Sequence, residues 1–317
     1  MHRTGLVVAG TAICLLTGAA VAADRSASGS SAAVEPVRAR PRLDEESPAA
    51  GSGAVAWSQN RAPGVGRYDV WARLEGSRAF KVNARGTEGF PGGIDGTTLV
   101  FQQSDEARND SDLWLYDLTT RTRRKLGRQF NTEEWEWAPS LAGNWILFGR
   151  GRLQGIFEPG LRQVLLVDRS TGEQRQLART ETLETDVIPG QLSDNFAVWS
   201  VCRARRDATL CDTFLHDVAS ATTTKLPLGT ARSQFAASVT AAGVVYLVRS
   251  NGRCGDAAYL VRHSPGAADE TLMRFPRGTE SFRSYAFERD TGETEVYFER
   301  SRCSSGRSDV VRVVDTR

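Results

Sequence analysis

Histidine and lysine are scarce in this 317-residue chain, and each scarcity excludes something. The histidines are His2, His216 and His263. Two imidazoles beyond the N-terminal segment cannot build a centre that needs several histidine ligands. A Ser-His-Asp triad needs one positioned histidine, but no Gly-x-Ser-x-Gly elbow accompanies either. Lysine occurs only at Lys81, Lys125 and Lys225, so nearly all positive charge is arginine. That bias fits coding by a G+C-rich genome and weakens inferences from individual arginines. A net charge of +2 gives no reason to expect a nucleic-acid partner. Beyond residue 24 there is no helix-length amphipathic window, which excludes a helical solenoid. The one markedly apolar run, Leu6–Leu16, is too short to span a bilayer.

What the chain does have is a repeat. Residues 138–179 contain the short apolar runs Trp145–Phe148 and Val164–Val167. Asp168 and the turn signal Ser170-Thr171-Gly172 follow, and then 174–177. Runs this short, split by Gly, Asp and Ser, read as strands and hairpins. With 138–141 they predict a four-stranded antiparallel meander, A to D. A bulky residue near the end of strand B recurs at Trp57, Phe101, Phe148, Trp199, Leu247 and Phe298. By subtraction these lie 44, 47, 51, 48 and 51 residues apart. That is the period of propeller blades. An Asp opens strand C in most repeats and another closes it in several. Both are expected to satisfy turn amides rather than to ring a metal.

The unit Pro139-Ser140-Leu141-Ala142-Gly143-Asn144, followed by Trp145–Phe148, Val164–Asp168, Gly172 and Leu177, resembles the repeat of the TolB-like six-bladed propellers, a WD40-like repeat family. Repeat two matches through Gly92-Gly93-Ile94-Asp95-Gly96, Leu99–Phe101, Leu115-Tyr116-Asp117 and Leu126-Gly127. The resemblance covers roughly Pro48 onward. It implies an all-β fold of six four-stranded antiparallel blades, an exported bacterial protein, and a role in protein contact within the cell envelope.

In chain order, residues 1–22 read as a secretory signal peptide, with His2-Arg3, the apolar run and Ala20-Val21-Ala22. Residues 23–33 read as a flexible Ser/Ala/Gly linker. The propeller is expected over 34–317. The last repeat stops after its strand C, so 34–40 is predicted to supply the missing outer strand and close the ring. A secreted or periplasmic product with no stable membrane insertion is expected, as a monomer. The cysteines beyond the leader suit disulfides there. Three pairings are possible, with Cys202–Cys211 and Cys254–Cys303 preferred because each pair shares the B-to-C loop position.

In a propeller the D-to-A connections and B-to-C loops meet on one face around the channel. That face is expected to carry the ligand site, an acidic and aromatic centre with an arginine rim: Glu88, Glu133, Trp135, Glu184, Arg205, Arg232 and Glu280. Trp135 and Trp137 flank Glu136, so at least one of the two is expected in the core. Neither a catalytic set nor a cofactor or metal is expected. The reading is a non-enzymatic propeller that binds a protein or cell-envelope polymer. One rival is a carbohydrate-active or other hydrolase or lyase using Glu133, Glu184 or Glu280. The other is a scaffold with no ligand site.

Overall fold

The computed structural model describes residues 34–37, 43–62, 67–105, 110–152, 160–182, 184–205, 208–227, 229–305 and 307–316. The expected leader and linker, and residues 38–40 of the expected closing strand, lie outside them. The described chain forms six antiparallel sheets arranged as propeller blades. Blade 1 has strands A to D at Glu45–Gly51, Ala54–Asn60, Tyr68–Leu74 and Phe80–Lys81. Blade 2 has Glu88–Asp95, Thr98–Asp105, Asp110–Asp117 and Thr122–Lys125. Blade 3 has Trp135–Ala142, Trp145–Gly151, Arg162–Asp168 and Gln174–Thr180. Blade 4 has Thr185–Leu192, Phe196–Arg205, Ala208–Asp217 and Thr222–Lys225. Blade 5 has Ser233–Val239, Val245–Ser250, Tyr259–His263 and Glu270–Arg274. Blade 6 splits strand A into Thr279–Glu280 and Ser284–Glu288, followed by Thr294–Arg302 and Ser308–Asp315. Its outer strand is Val34–Pro36, registered Val34↔Val313 to Pro36↔Val311. The N-terminal strand thus covers an edge that strand C would otherwise expose.

The bulky strand-B residues sit in the core: Trp57, Phe101, Phe148, Leu247 and Phe298 are fully buried and Trp199 nearly so. Each supplies apolar area between neighbouring sheets, where no single blade could bury its own faces. Strand A carries a register shift in blades 1 to 5, at Glu46/Ala49, Pro91/Gly93, Trp137/Ser140, Pro189/Leu192 and Phe235/Ser238. These bulges turn the innermost backbones toward one another. At Gly92 a Cβ would sit 1.8 Å from the Pro139 carbonyl oxygen, so the approach of blades 2 and 3 requires glycine there.

The two kinds of strand-C aspartate do different work. Those that close the strand behave as the sequence suggests. Asp117 accepts from the amides of Thr119 (2.9 Å) and Thr120 (2.7 Å), and Asp217 from those of Ala219 and Ser220 (both 2.9 Å). Asp168 accepts likewise from Ser170 and Thr171. Those near its start do not bind turn amides but pair with strand D: Asp69 with Lys81 (2.8 Å), Asp112 with Lys125 (2.6 Å) and Asp212 with Lys225 (2.9 Å). All three lysines of the chain therefore occupy one repeated position, in blades 1, 2 and 4.

Both disulfides join the cysteines that the sequence pairs. Cys202 and Cys211 are directly opposed on strands B and C of blade 4, Cα–Cα 3.9 Å. Cys254 and Cys303 tie blade 5 to blade 6, Cα–Cα 5.9 Å.

Candidate functional site

Strand register defines a ring of six side-chain positions near the start of strand A. The residue after each bulky strand-B residue opposes Glu46, Phe90, Trp137, Ile188 and Phe235 in blades 1 to 5. In blade 6 the Glu299 amide donates to the Arg283 carbonyl (3.0 Å), which puts Arg283 at the sixth position. Four ring members are apolar. The two charged ones, Glu46 and Arg283, belong to blades 1 and 6, the blades that meet where the ring closes.

Below this ring the channel narrows to a space of about 40 Å³ among Pro48, Pro91, Pro139, Pro189 and Tyr285. Gln191 bridges blades there: its Nε2 donates to the Ala286 carbonyl (2.7 Å), and its Oε1 accepts from the Ala286 amide (2.8 Å). The mouth above is open, with two clefts of about 790 and 420 Å³. Both are lined by Trp137, Asp186, Glu280, Phe282 and Arg283. These volumes fall within the range of small-molecule sites, about 300–1,000 Å³. Phe282 is 52% exposed, the one exposed large hydrophobic among the described residues, and its ring centroid lies 6.4 Å from that of Phe235.

The clefts hold charge under strained solvation. Burial raises the carboxyls of Glu46, Asp186 and Glu280 above the usual range. Glu299, buried in the same wall, is pushed up to about 7 by burial and then by the neighbouring Glu46 charge. Glu46 has Tyr68 Oη at 2.7 Å, Glu299 has Ser301 Oγ at 2.6 Å, and Asp186 has Arg162 at 3.5 Å. Burial lowers the Arg283 guanidinium, against the opposing pull of Glu299 and Glu46. Among the described residues, neither Glu280 nor Arg283 makes a side-chain hydrogen bond or a close ion pair.

Of the residues expected from sequence, Glu184 and Glu280 come together in the 420 Å³ cleft. Glu133, Arg205 and Arg232 are exposed on loops or strand ends, and Glu88 and Trp135 are half-buried. None of these five lines either cleft. Around Trp135 the alternation runs opposite to expectation. Glu136 is fully buried while Trp135 and Trp137 are half-exposed, because Glu136 accepts from Arg150 Nε (3.0 Å) and Thr132 Oγ1 (2.8 Å). Other arginines at or beside the B-to-C loops are likewise engaged within blades, Arg61 with Asp69, Arg150 with Glu136 and Arg203 with Asp212. Sequence reasoning missed Glu46, Arg283 and Glu299. Aligning the strand-A column across repeats would have found the first two, as the charged exceptions among Phe90, Trp137, Ile188 and Phe235.

The histidines lie elsewhere. His216 and His263 sit at the strand-C ends, on the face opposite the mouth. His216 is buried against Thr223 (3.0 Å), with its pKa lowered by burial, and His263 pairs with Asp269 (2.6 Å). One cluster among the described residues has ligand-type atoms within 4.8 Å of one another, Cys254, Glu280 and Cys303. Its sulfurs are joined to each other, so it offers no thiolate to a metal.

No protein-family model matches the chain, and no characterised sequence does. Solved structures do. TolB from Acinetobacter baumannii matches with a TM-score of 0.54 at 14% identity, over 83% of this chain and 65% of that one. The Pyrococcus horikoshii acylaminoacyl peptidase matches with a TM-score of 0.51 at 14% identity, over 82% of this chain and 43% of that one. An oligogalacturonate lyase from Vibrio parahaemolyticus matches at 0.49 and 10% identity, over 89% and 82%. The chain thus spans less than two thirds of the first two proteins it matches. Identities this low speak to architecture alone. In architecture the chain is a TolB-like six-bladed β-propeller.

Proposed function

We propose that this protein is a non-enzymatic binding propeller of an extracytoplasmic compartment, engaging a protein or cell-envelope polymer through its channel mouth. The observation that carries this reading is the exposed Phe282, which lines both clefts with Trp137 and lies near Phe235, together with Glu280 and Arg283, which have no hydrogen-bonded partner among the described residues. Exposed aromatics with arginine at a concave site are the composition of binding hot spots. An aromatic ring projecting into a cleft beside other aromatics offers a partner a large apolar contact area. The two disulfides fit an oxidising compartment.

The test is capture from envelope extract by the immobilised protein. Phe282→Ala and Trp137→Ala are expected to weaken capture by about 30-fold or more, as truncation of hot-spot aromatics does. Glu133→Lys, Arg205→Glu and Arg232→Glu, outside the clefts, are expected to leave it within about twofold, since surface changes away from such features carry small energies. Capture that responds to the outer residues and not to the aromatics would move the site to the loops. Turnover in a hydrolase and lyase screen, abolished by Glu280→Gln, would replace binding with catalysis.

A further inference from the structure

The mouth contains an acid and a base that face the same two clefts, sit three residues apart in sequence, and do not touch. Glu280 closes the first piece of strand A in blade 6, and Arg283 precedes the second. The interruption of the strand between them leaves Phe282 projecting, 52% exposed. Each charge is partly removed from water, and among the described residues neither side chain has a hydrogen bond or a close ion pair. A desolvated charge without a partner is costly, and the usual remedy in a folded protein is to pair it. These two could have paired with each other; instead they stand apart, in clefts that Phe282 also lines.

An exogenous cation alone would relieve Glu280 but leave Arg283, which feels Glu299 and Glu46 only through space, without a hydrogen-bonded acceptor. An anion alone would relieve Arg283 but meet Glu46, Asp186, Glu280 and Glu299. A ligand carrying both charges a short distance apart satisfies both. Resting on the mouth as the binding face, we infer that this cleft is a subsite for the zwitterionic head of an amino acid, its ammonium at Glu280, its carboxylate in a forked contact with Arg283, and an apolar side chain against Phe282 and Trp137. A guanidinium binds a carboxylate through two parallel N–H donors, which favours Arg over Lys at such a position. The chain's few lysines are all engaged elsewhere, in the blades. Burial raises the Glu280 carboxyl, and an arriving ammonium would favour its charged form. Such a head group occurs on a free amino acid and at the free end of a branch on a polymer.

Titration calorimetry on the full chain tests this with phenylalanine and tryptophan, their amides, which lack the carboxylate, and their N-acetyl forms, which lack the ammonium. The free amino acids are expected to bind, and each blocked form to bind about tenfold or more weakly, the loss of one charge-assisted contact. Glu280→Gln is expected to abolish the preference over the N-acetyl form, and Arg283→Met the preference over the amide. The wild-type ligand series stands even if a variant fails to fold. Beads bearing lysine coupled through Nζ, with its α-head free, separate the two sources. Retention on beads but no binding of free amino acids assigns the subsite to a polymer branch. Binding of both leaves it open to either.

Blocked forms that bind as well as the zwitterion would overturn the inference, as would no binding of either presentation at millimolar concentration. If Phe282→Ala and Trp137→Ala still abolish capture from envelope extract in that case, the mouth remains the binding face and only the zwitterion subsite is lost.

Discussion

Blades 2 to 5 and the meeting of blades 6 and 1 solve the same packing problem differently. At the inner-ring position, blades 2 to 5 place Phe90, Trp137, Ile188 and Phe235, and strand A runs unbroken through one bulge. Blades 1 and 6 place Glu46 and Arg283 there. Opposite Arg283 stands Glu299, where the other blades have Ser58, Gln102, Gly149, Ser200 and Val248. Strand A of blade 6 is also split. A position answering only to blade packing has no reason to hold a desolvated charge. Departures from a repeat's own rule therefore point to a demand other than folding. Here they gather around the open clefts, whereas the channel floor below is lined mainly by proline, glycine and alanine with a bridging glutamine, Arg283 being its one charged lining residue.

The largest expected effect belongs to the regular blades. Phe148→Ala should cost about 3–5 kcal/mol, read by denaturant unfolding, because a fully buried ring leaves a cavity between two sheets. A cost under about 1 kcal/mol would mean that the sheets collapse onto the gap and that the blades are not tightly interlocked. Next comes the covalent tie beside the clefts. Cys254→Ser with Cys303→Ser opens a loop spanning 49 residues, against 9 for Cys202–Cys211. Chain entropy sets upper values near about 4 and about 3 kcal/mol respectively. The prediction is that the first double substitution lowers Tm more than the second. The reverse order would place the rigidity of this face within blade 4.

A pH measurement sharpens the contrast further. Glu299 in the fold stands at about 7, above its ordinary 4.5, so the folded state holds that proton more tightly than the unfolded chain. Its contribution to stability is full below about 4.5 and is lost as pH rises through about 7. Glu299→Gln, neutral throughout, should therefore melt close to wild type at pH 5 and above it at pH 8. The expected gain is up to about 1–3 kcal/mol, the scale for an uncompensated buried charge. Identical Tm profiles at both pH values would show that Arg283 already neutralises the site.

The repeat was legible because strands advertise themselves locally. Trp57 through Phe298 mark the period, and Asp117, Asp168 and Asp217 mark the turns with the amides they bind. The two disulfides followed from equivalent loop positions. The mouth was less legible because its side chains come from different blades, and charge type says nothing about distance. Glu133 and Glu280 look alike in sequence, yet one is exposed on a connection and the other lines both clefts. Glu136 misled for the opposite reason: its burial depends on Arg150, a residue on the next strand whose role as partner no local pattern reveals.

The smallest effect tests what the three lysines are for. Lys125 is 46% exposed and Asp112 13%, at 2.6 Å, and the same pair recurs in blades 1 and 4. Blade 3 has Gln163 at the corresponding strand-C position, hydrogen-bonded to Gln176, so a blade folds without the ion pair. A half-exposed pair is worth about 0.2–1 kcal/mol and weakens with salt. A double-mutant cycle on Lys125→Ala and Asp112→Ala should return a coupling in that range, smaller in 1 M salt. A coupling above about 2 kcal/mol, insensitive to salt, would make the pair a desolvated lock between strands C and D. Lysine would then be retained there for a structural reason against an otherwise arginine-rich composition, and its repetition in three blades would record selection on the blades as strong as that at the clefts.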